Sequence, residues 1–202
     1  MLAAAASSPA FSRAAGRIVV VSGLPRSGTS MMMAALEAGG ILPLTDQIRA
    51  ADDDNPKGYY EFERVKRLPQ GDFGWLNEAR GRCVKVISAL LTYLPPTHQY
   101  SVIFMRRHLD EVLRSQRKML ERRGQPALDD DAAMRALLQA HEESVRQWAA
   151  AQPHLAFLSV DYNAMLADPP AAVAQVREFL GSGVDPTAMA AAVDASLYRN
   201  RR

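Results

Sequence analysis

Hydrophobic and polar positions alternate along this chain in blocks, and each block has a different period. "IVVVS" (Ile18–Ser22) is a β-branched run bounded by glycines, the pattern of a short strand buried on both faces. "TSMMMAALEAG" follows a Gly-rich turn and has a helical period that stops at Gly39-Gly40. "RCVKVI" (Arg82–Ile87), "YSVIFM" (Tyr100–Met105) and "LAFLSV" (Leu155–Val160) are three further strand candidates. Between them lie two helical stripes. Leu109, Val112, Leu113, Gln116, Met119 and Leu120 form the first, ending near Gly124. Met134, Leu137, Leu138, His141, Val145 and Trp148 form the second, opened by the acidic run Asp129–Asp131, which favours a helix N-terminus. A last helix is predicted from Pro170 to Leu180, closed by Gly181, whereas Ile41 to Leu68 reads as irregular. Strands alternating with helices imply an α/β fold with a mostly parallel sheet and helices on both faces.

Composition narrows this picture without changing it. The 202 residues suit one domain, and apolar and charged fractions of 48% and 23% are those of a globular protein. We read residues 1–17 as a loose N-terminal tail and 18–202 as a single domain. A net charge of +2 gives no reason to expect nucleic-acid binding, and no run reaches the roughly 18 apolar residues of a membrane span. The single cysteine, Cys83, excludes an internal disulfide and suits a reducing, cytoplasmic setting. The four histidines and that cysteine show no metal-ligand spacing, so no metal site is expected. His141, on an apolar stripe, reads as a core histidine. Trp75 and Trp148 read as packing residues, and the three consecutive methionines as core filling.

The chemistry concentrates in the first turn. Gly23-Leu-Pro-Arg-Ser-Gly28-Thr29-Ser30 has the spacing of a phosphate-cradling loop between a strand and a helix, but Thr29 stands where the lysine of GxxxxGK[ST] belongs. Backbone N–H groups and the positive helix end still make an anion site, and Arg26 adds a planar fork. In a nucleoside triphosphatase a second strand ends in a metal-binding carboxylate. Here "SVIFM" ends in Arg106-Arg107, with Ser115 eight residues past Arg107. That combination asks for a second anion instead of a metal.

Three ordered segments carry a family resemblance. "LPRSGTS" resembles the 5′-phosphosulfate loop of sulfotransferases that use 3′-phosphoadenosine 5′-phosphosulfate (PAPS), and "RHLDEVLRS" resembles their 3′-phosphate motif. "YNAMLADP" with "REFLG" resembles the segment whose tyrosine lies near the adenine, and "NPKGYYEF" is similar to an element of bacterial members. The resemblance implies that Pro25, Arg26, Ser27, Gly28, Thr29, Ser30, Arg107, Ser115 and Tyr162 bind PAPS, a co-substrate, and that transfer to a hydroxyl or amine needs no metal. Lys85 matches the lysine of the family's Lys-Thr-His, reduced here to Lys85-Val-Ile-Ser88, so its histidine is lost. The resemblance then implies a carboxylate base after the first helix, Glu61 before Asp46, with His108 third. Lys85 and Arg26 would stabilise the leaving group. A P-loop kinase and a non-catalytic nucleotide-binding module remain open as alternatives. Acceptor and oligomeric state are not legible in the sequence.

Overall fold

The computed structural model describes residues 16–46, 58–122, 124–125, 131–181 and 183–194. Most of the expected tail, the acidic run Asp52–Asp54, the Asn55–Lys57 part of "NPKGYYEF", Asp129 and Asp130, and the C-terminal arginines lie outside these residues.

Four parallel strands form one sheet: β1 (Ile18–Gly23), β2 (Cys83–Lys85), β3 (Tyr100–Arg106) and β4 (Leu155–Asp161), in the order β2-β1-β3-β4. Register is continuous where burial is deepest. Ile18 to Gly23 face Tyr100 to Met105, and Tyr100 to Arg106 face Leu155 to Asp161. All six residues of β1 are buried, as expected for a β-branched run covered on both sides. β2 is shorter than its apolar run predicts. Its ladder ends at Lys85, although the Val86 N–H still donates to the Val21 carbonyl at 3.0 Å, and Ile87 turns out to 50% exposure.

The helices divide between the two faces. α1 (Thr29–Ala38), α5 (Pro169–Leu180) and α6 (Pro186–Ala192) cover one face, where Met32, Met33 and Leu36 pack with Val19, Val21, Val173 and Val176. Two of the three methionines expected as core filling are that, Met32 and Met33 having no exposed surface, while Met31 is half-buried against the same cluster. Asp161 caps the short α4 (Tyr162–Ala167) and Asp168 caps α5, each carboxylate accepting a first-turn N–H. The other face is covered by α3 (Asp131–Ala150) and by three 3-10 segments at Glu63–Gln70, Gly74–Asn77 and Ser88–Tyr93. The first of these lies largely inside the stretch expected to be irregular. Trp75 is fully buried there, its ring edge-on to Phe62 at 5.4 Å, which is a packing role. Arg17, counted with the tail by sequence, instead donates to Ser101 Oγ and the Tyr100 carbonyl, so it belongs to the packed domain.

The chain leaves β1 toward β2 on one side and enters β3 on the other. The gap between the C-terminal ends of β1 and β3 is therefore a topological switch point, where open parallel sheets bind ligands. α2 (Leu109–Arg122) rises from the end of β3 at this edge. Asp110 pairs with Arg135 and Arg117 with Asp131, which ties α2 antiparallel to the first half of α3.

Candidate active site

The loop after β1 has a shape only certain residues allow. Gly23 sits at φ +148, and a Cβ there would lie 2.5 Å from Ser27 Oγ and 2.6 Å from the Met105 carbonyl. Gly28, at φ +99, faces Tyr162, whose Cδ2 would be 2.3 Å from an added Cβ. Arg26 adopts φ 71, a left-handed conformation costly for a side chain with a Cβ and found where surroundings over-determine the backbone. Those surroundings are identifiable. The Arg26 carbonyl accepts from Arg107 Nη1 at 3.1 Å, and Arg26 Nε donates to Ser115 Oγ at 2.9 Å. The loop is thus fastened to the end of β3 and to α2.

α1 starts immediately after the loop with no side-chain cap and no acidic residue in its first turn. Its N-terminal N–H groups and dipole favour an anion. Ser27 Oγ, fully buried in the same loop, has no hydrogen-bond partner among the described residues. Thr29, Ser30 and Arg26 are half-buried around it, and Pro25 is exposed at the tip.

Arg107 is nearly enclosed, its side chain 7% exposed. Nε donates to Glu111 Oε2 at 2.9 Å, and its guanidinium lies 4.5 Å from the centre of the Tyr162 ring. Glu111 is itself fully buried and accepts from Asn163 Nδ2 at 3.1 and 3.2 Å. A buried arginine–carboxylate pair completed by a third donor is the arrangement in which desolvated charges persist. The sequence reading of Arg107 and Ser115 as a pair overlooked Glu111 and Asn163. The signal for the first was present: Arg107 and Glu111 stand four apart at a helix start, the spacing of facing side chains.

Lys85 projects from the end of β2 toward α1. Its ammonium reaches Ser30 Oγ at 3.4 Å, donates to the Tyr59 carbonyl and lies 5.9 Å from the Tyr59 ring centre. Tyr60, at φ 53, donates its hydroxyl to Glu37 Oε2 at 2.7 Å, and burial beside that carboxylate pushes its own pKa up. Residues 58–62 are thereby held against α1. Of the two residues expected nearby to supply a carboxylate base, Asp46 uses its carboxylate, and Glu61 its backbone, in local hydrogen bonds. Asp46 Oδ2 accepts the Glu63 N–H at 2.6 Å, at the start of a 3-10 segment, and the Glu61 carbonyl accepts from Thr45 Oγ1 and the Asp46 N–H.

On the α3 face the strand ends carry a second polar group. Arg106 pairs with Glu142 Oε2 at 3.7 Å, while Glu142 Oε1 is buried without a hydrogen-bond partner among the described residues, and desolvation raises the pKa of this carboxyl. His141 Nε2 lies 2.8 Å from Ser88 Oγ. Read from sequence as a core histidine, it is half-buried and bonded to the segment that follows Lys85. Among the described residues no cluster of three or more His, Cys, Asp or Glu is placed to hold a metal ion, and no helix is long and apolar enough to cross a membrane.

The sequence and the fold were each compared with known proteins. Residues 62–186 match the sequence model described as the sulfotransferase family, so the chain belongs to the sulfotransferase family. The matched span holds Lys85, Arg107, Ser115 and Tyr162 and begins after the loop. The fold agrees: among solved structures, the chain is similar to the "Sulfotransferase Domain from the Curacin Biosynthetic Pathway". That match has a TM-score of 0.53 at 15% identity, covering 92% of each chain. A search of curated proteins found no match.

Proposed function

We propose that this sulfotransferase uses PAPS as donor and transfers its sulfuryl group, without a metal, to a hydroxyl or amine. The observation that carries the reading is the Arg26–Ser115 hydrogen bond. It brings the loop after β1 and the Arg107 motif into one place from positions 89 apart in sequence. A donor with two separated anionic groups fits that juxtaposition. The loop amides, the uncapped α1 and Ser27 suit the 5′-phosphosulfate. Arg107 and Ser115 suit a 3′-phosphate, with the Tyr162 ring beside them for the adenine.

In this reading the acceptor oxygen attacks sulfur in line with the bridge to the 5′-phosphate. The new O–S bond forms as the bridging bond breaks, and its electron pair stays on the phosphate oxygen. Lys85 and Arg26 offset the charge that develops there, the largest kind of contribution a preorganised site makes. Glu61, before Asp46, is the carboxylate that the family resemblance offers as base. A cytoplasmic setting fits Cys83, a free thiol whose pKa burial pushes up to about 12.

The test is incubation with PAPS and a mixed panel of alcohols, phenols, sugars and amines in excess EDTA, read by mass spectrometry. A product carrying one added sulfuryl group is expected. Phosphorylated products in a parallel incubation with ATP and Mg²⁺ in place of PAPS and EDTA would favour the kinase alternative.

A further inference from the structure

α3 carries more chemistry than a covering helix requires. Val145 and Ala149, in its second half, are buried against the sheet. Glu142 stands beside Arg106, the last residue of β3, so residues 131–141 extend about three turns past the sheet edge. The apolar stripe continues into that projecting part. Met134 and Leu138 are half-buried and Leu137 is 64% exposed.

His141 lies where the stripe meets the sheet edge. It reaches Ser88, just beyond β2, while its neighbour Glu142 reaches the end of β3. β1 lies between β2 and β3 in the sheet, so α3 at this level crosses the end of β1, from which the donor loop springs. Ser88 is buried at 3% exposure and takes the imidazole by Nε2; among the described residues Nδ1 has no hydrogen-bond partner. A ring whose Nε2–H donates to the Ser88 hydroxyl oxygen presents Nδ1 as the proton acceptor. Ile87, next to Ser88, and Leu137, one turn before His141, are both largely exposed beside this pair. An imidazole at the foot of an apolar wall, at the strand-end side of the sheet from which the donor loop springs, has the form of an acceptor site.

We propose that His141, held by Ser88, takes the proton of the acceptor hydroxyl. The acceptor is an alcohol or phenol on an apolar body, seated on Met134, Leu137, Leu138 and Ile87. This rests on the PAPS reading above. The O–H proton passes to Nδ1 as the O–S bond forms, and from the imidazolium to solvent after the products leave. Asp46 suits the role less, because it accepts the Glu63 N–H.

The experiment uses the full chain, wild type and His141→Gln, with calorimetry on 3′-phosphoadenosine 5′-phosphate and a transfer assay from PAPS to 2-naphthol and to glucose. His141→Gln should bind the nucleotide within about twofold of wild type yet lose about 100-fold or more in kcat toward 2-naphthol, the range a positioned base supplies. Ser88→Ala should lower kcat with the KM for PAPS unchanged. Wild type should prefer 2-naphthol to glucose. The imidazole signal of His141, assigned by its loss in the variant, should move when 2-naphthol is added to nucleotide-loaded protein. Normal kcat in His141→Gln, or a signal that stays in place, overturns the assignment of the base. Loss of turnover in Glu61→Gln with His141→Gln intact would return the role to the carboxylate. Equal transfer to glucose, or none to 2-naphthol, overturns the apolar acceptor. Failure of wild type to bind the nucleotide overturns the donor reading itself.

Discussion

The two sides of the sheet edge are built differently. Around Arg107 the groups are buried or half-buried and engaged: Glu111, the Arg26 carbonyl and the Tyr162 ring converge on one guanidinium, and Asn163 donates to Glu111. Around His141 the surface opens, with Leu137 and Ile87 exposed and Glu142 Oε1 without a hydrogen-bond partner among the described residues. A ligand with fixed charge positions rewards a preorganised, enclosed grip, because ordering it on binding would cost affinity. A surface of exposed aliphatic side chains selects by shape and apolar area instead, and tolerates change. The difference teaches that the closed side should fail in stability and nucleotide affinity when altered, and the open side in turnover and acceptor choice.

The sharpest way to break this contrast is Arg107→Ala. It leaves the Glu111 carboxylate buried without its cation, and loss of one partner of such a pair costs about 3–5 kcal/mol. Urea denaturation should show that loss, and Arg107→Ala/Glu111→Gln should recover a large part of it. An unchanged midpoint in the single variant would mean the pair is solvated in solution.

Lys85→Met should act on rate instead. Removing one charge-stabilising donor lowers kcat by roughly 10²–10³, with affinity for 3′-phosphoadenosine 5′-phosphate changed only a few-fold. Single-turnover kinetics beside calorimetry separates the two. Equal losses in both would place Lys85 in ground-state binding alone.

Gly28→Ala tests the closed side from the backbone. The new Cβ meets the Tyr162 ring and the backbone sits at φ +99, a combination worth about 1–3 kcal/mol of strain. Thermal melting should show the loss, and Gly40→Ala, also at positive φ but with nothing within 4 Å of its Cβ, should show less.

The smallest effect is expected at Glu142. Its carboxyl pKa is raised, mainly by desolvation, so the folded state holds this proton more tightly than the unfolded state does. The ionised form therefore weakens folding above the raised pKa, and the penalty fades as pH falls through it. Glu142→Gln should raise Tm slightly at pH 7, with the gain shrinking toward pH 4. A gain that grows on acidification would contradict that sign.

How much of this was legible in the chain follows from the same division. The four strands and the α1, α2 and α5 stripes are readable because a buried parallel sheet demands continuous apolar runs and its covering helices a single face. The loop and the Arg107–Ser115 spacing are local patterns. Glu111 is equally local, but a carboxylate beside the proposed anion-binding arginine runs against the charge argument that points to that arginine. His141 was not legible as a site residue. Its stripe is apolar, and only the end of the sheet below it separates the buried Val145 from the projecting Leu137. The 3-10 segment at Glu63–Gln70 was not legible either: Pro69 breaks the helical period, and its backbone is organised by the distant Asp46 carboxylate.

The central claim is that the enclosed guanidinium of Arg107 and the hydroxyl of Ser115 serve a 3′-phosphate, and calorimetry tests it most directly. Affinities of wild type for 3′-phosphoadenosine 5′-phosphate and for AMP are compared with those of Ser115→Ala and Lys118→Ala. A charge-assisted contact contributes about 1.5–3 kcal/mol, so wild type should prefer the 3′-phosphorylated nucleotide by roughly 10- to 100-fold. Ser115→Ala should lose much of that preference, and Lys118→Ala, exposed on the same helix, should keep it. Equal affinity of wild type for the two nucleotides would contradict the account.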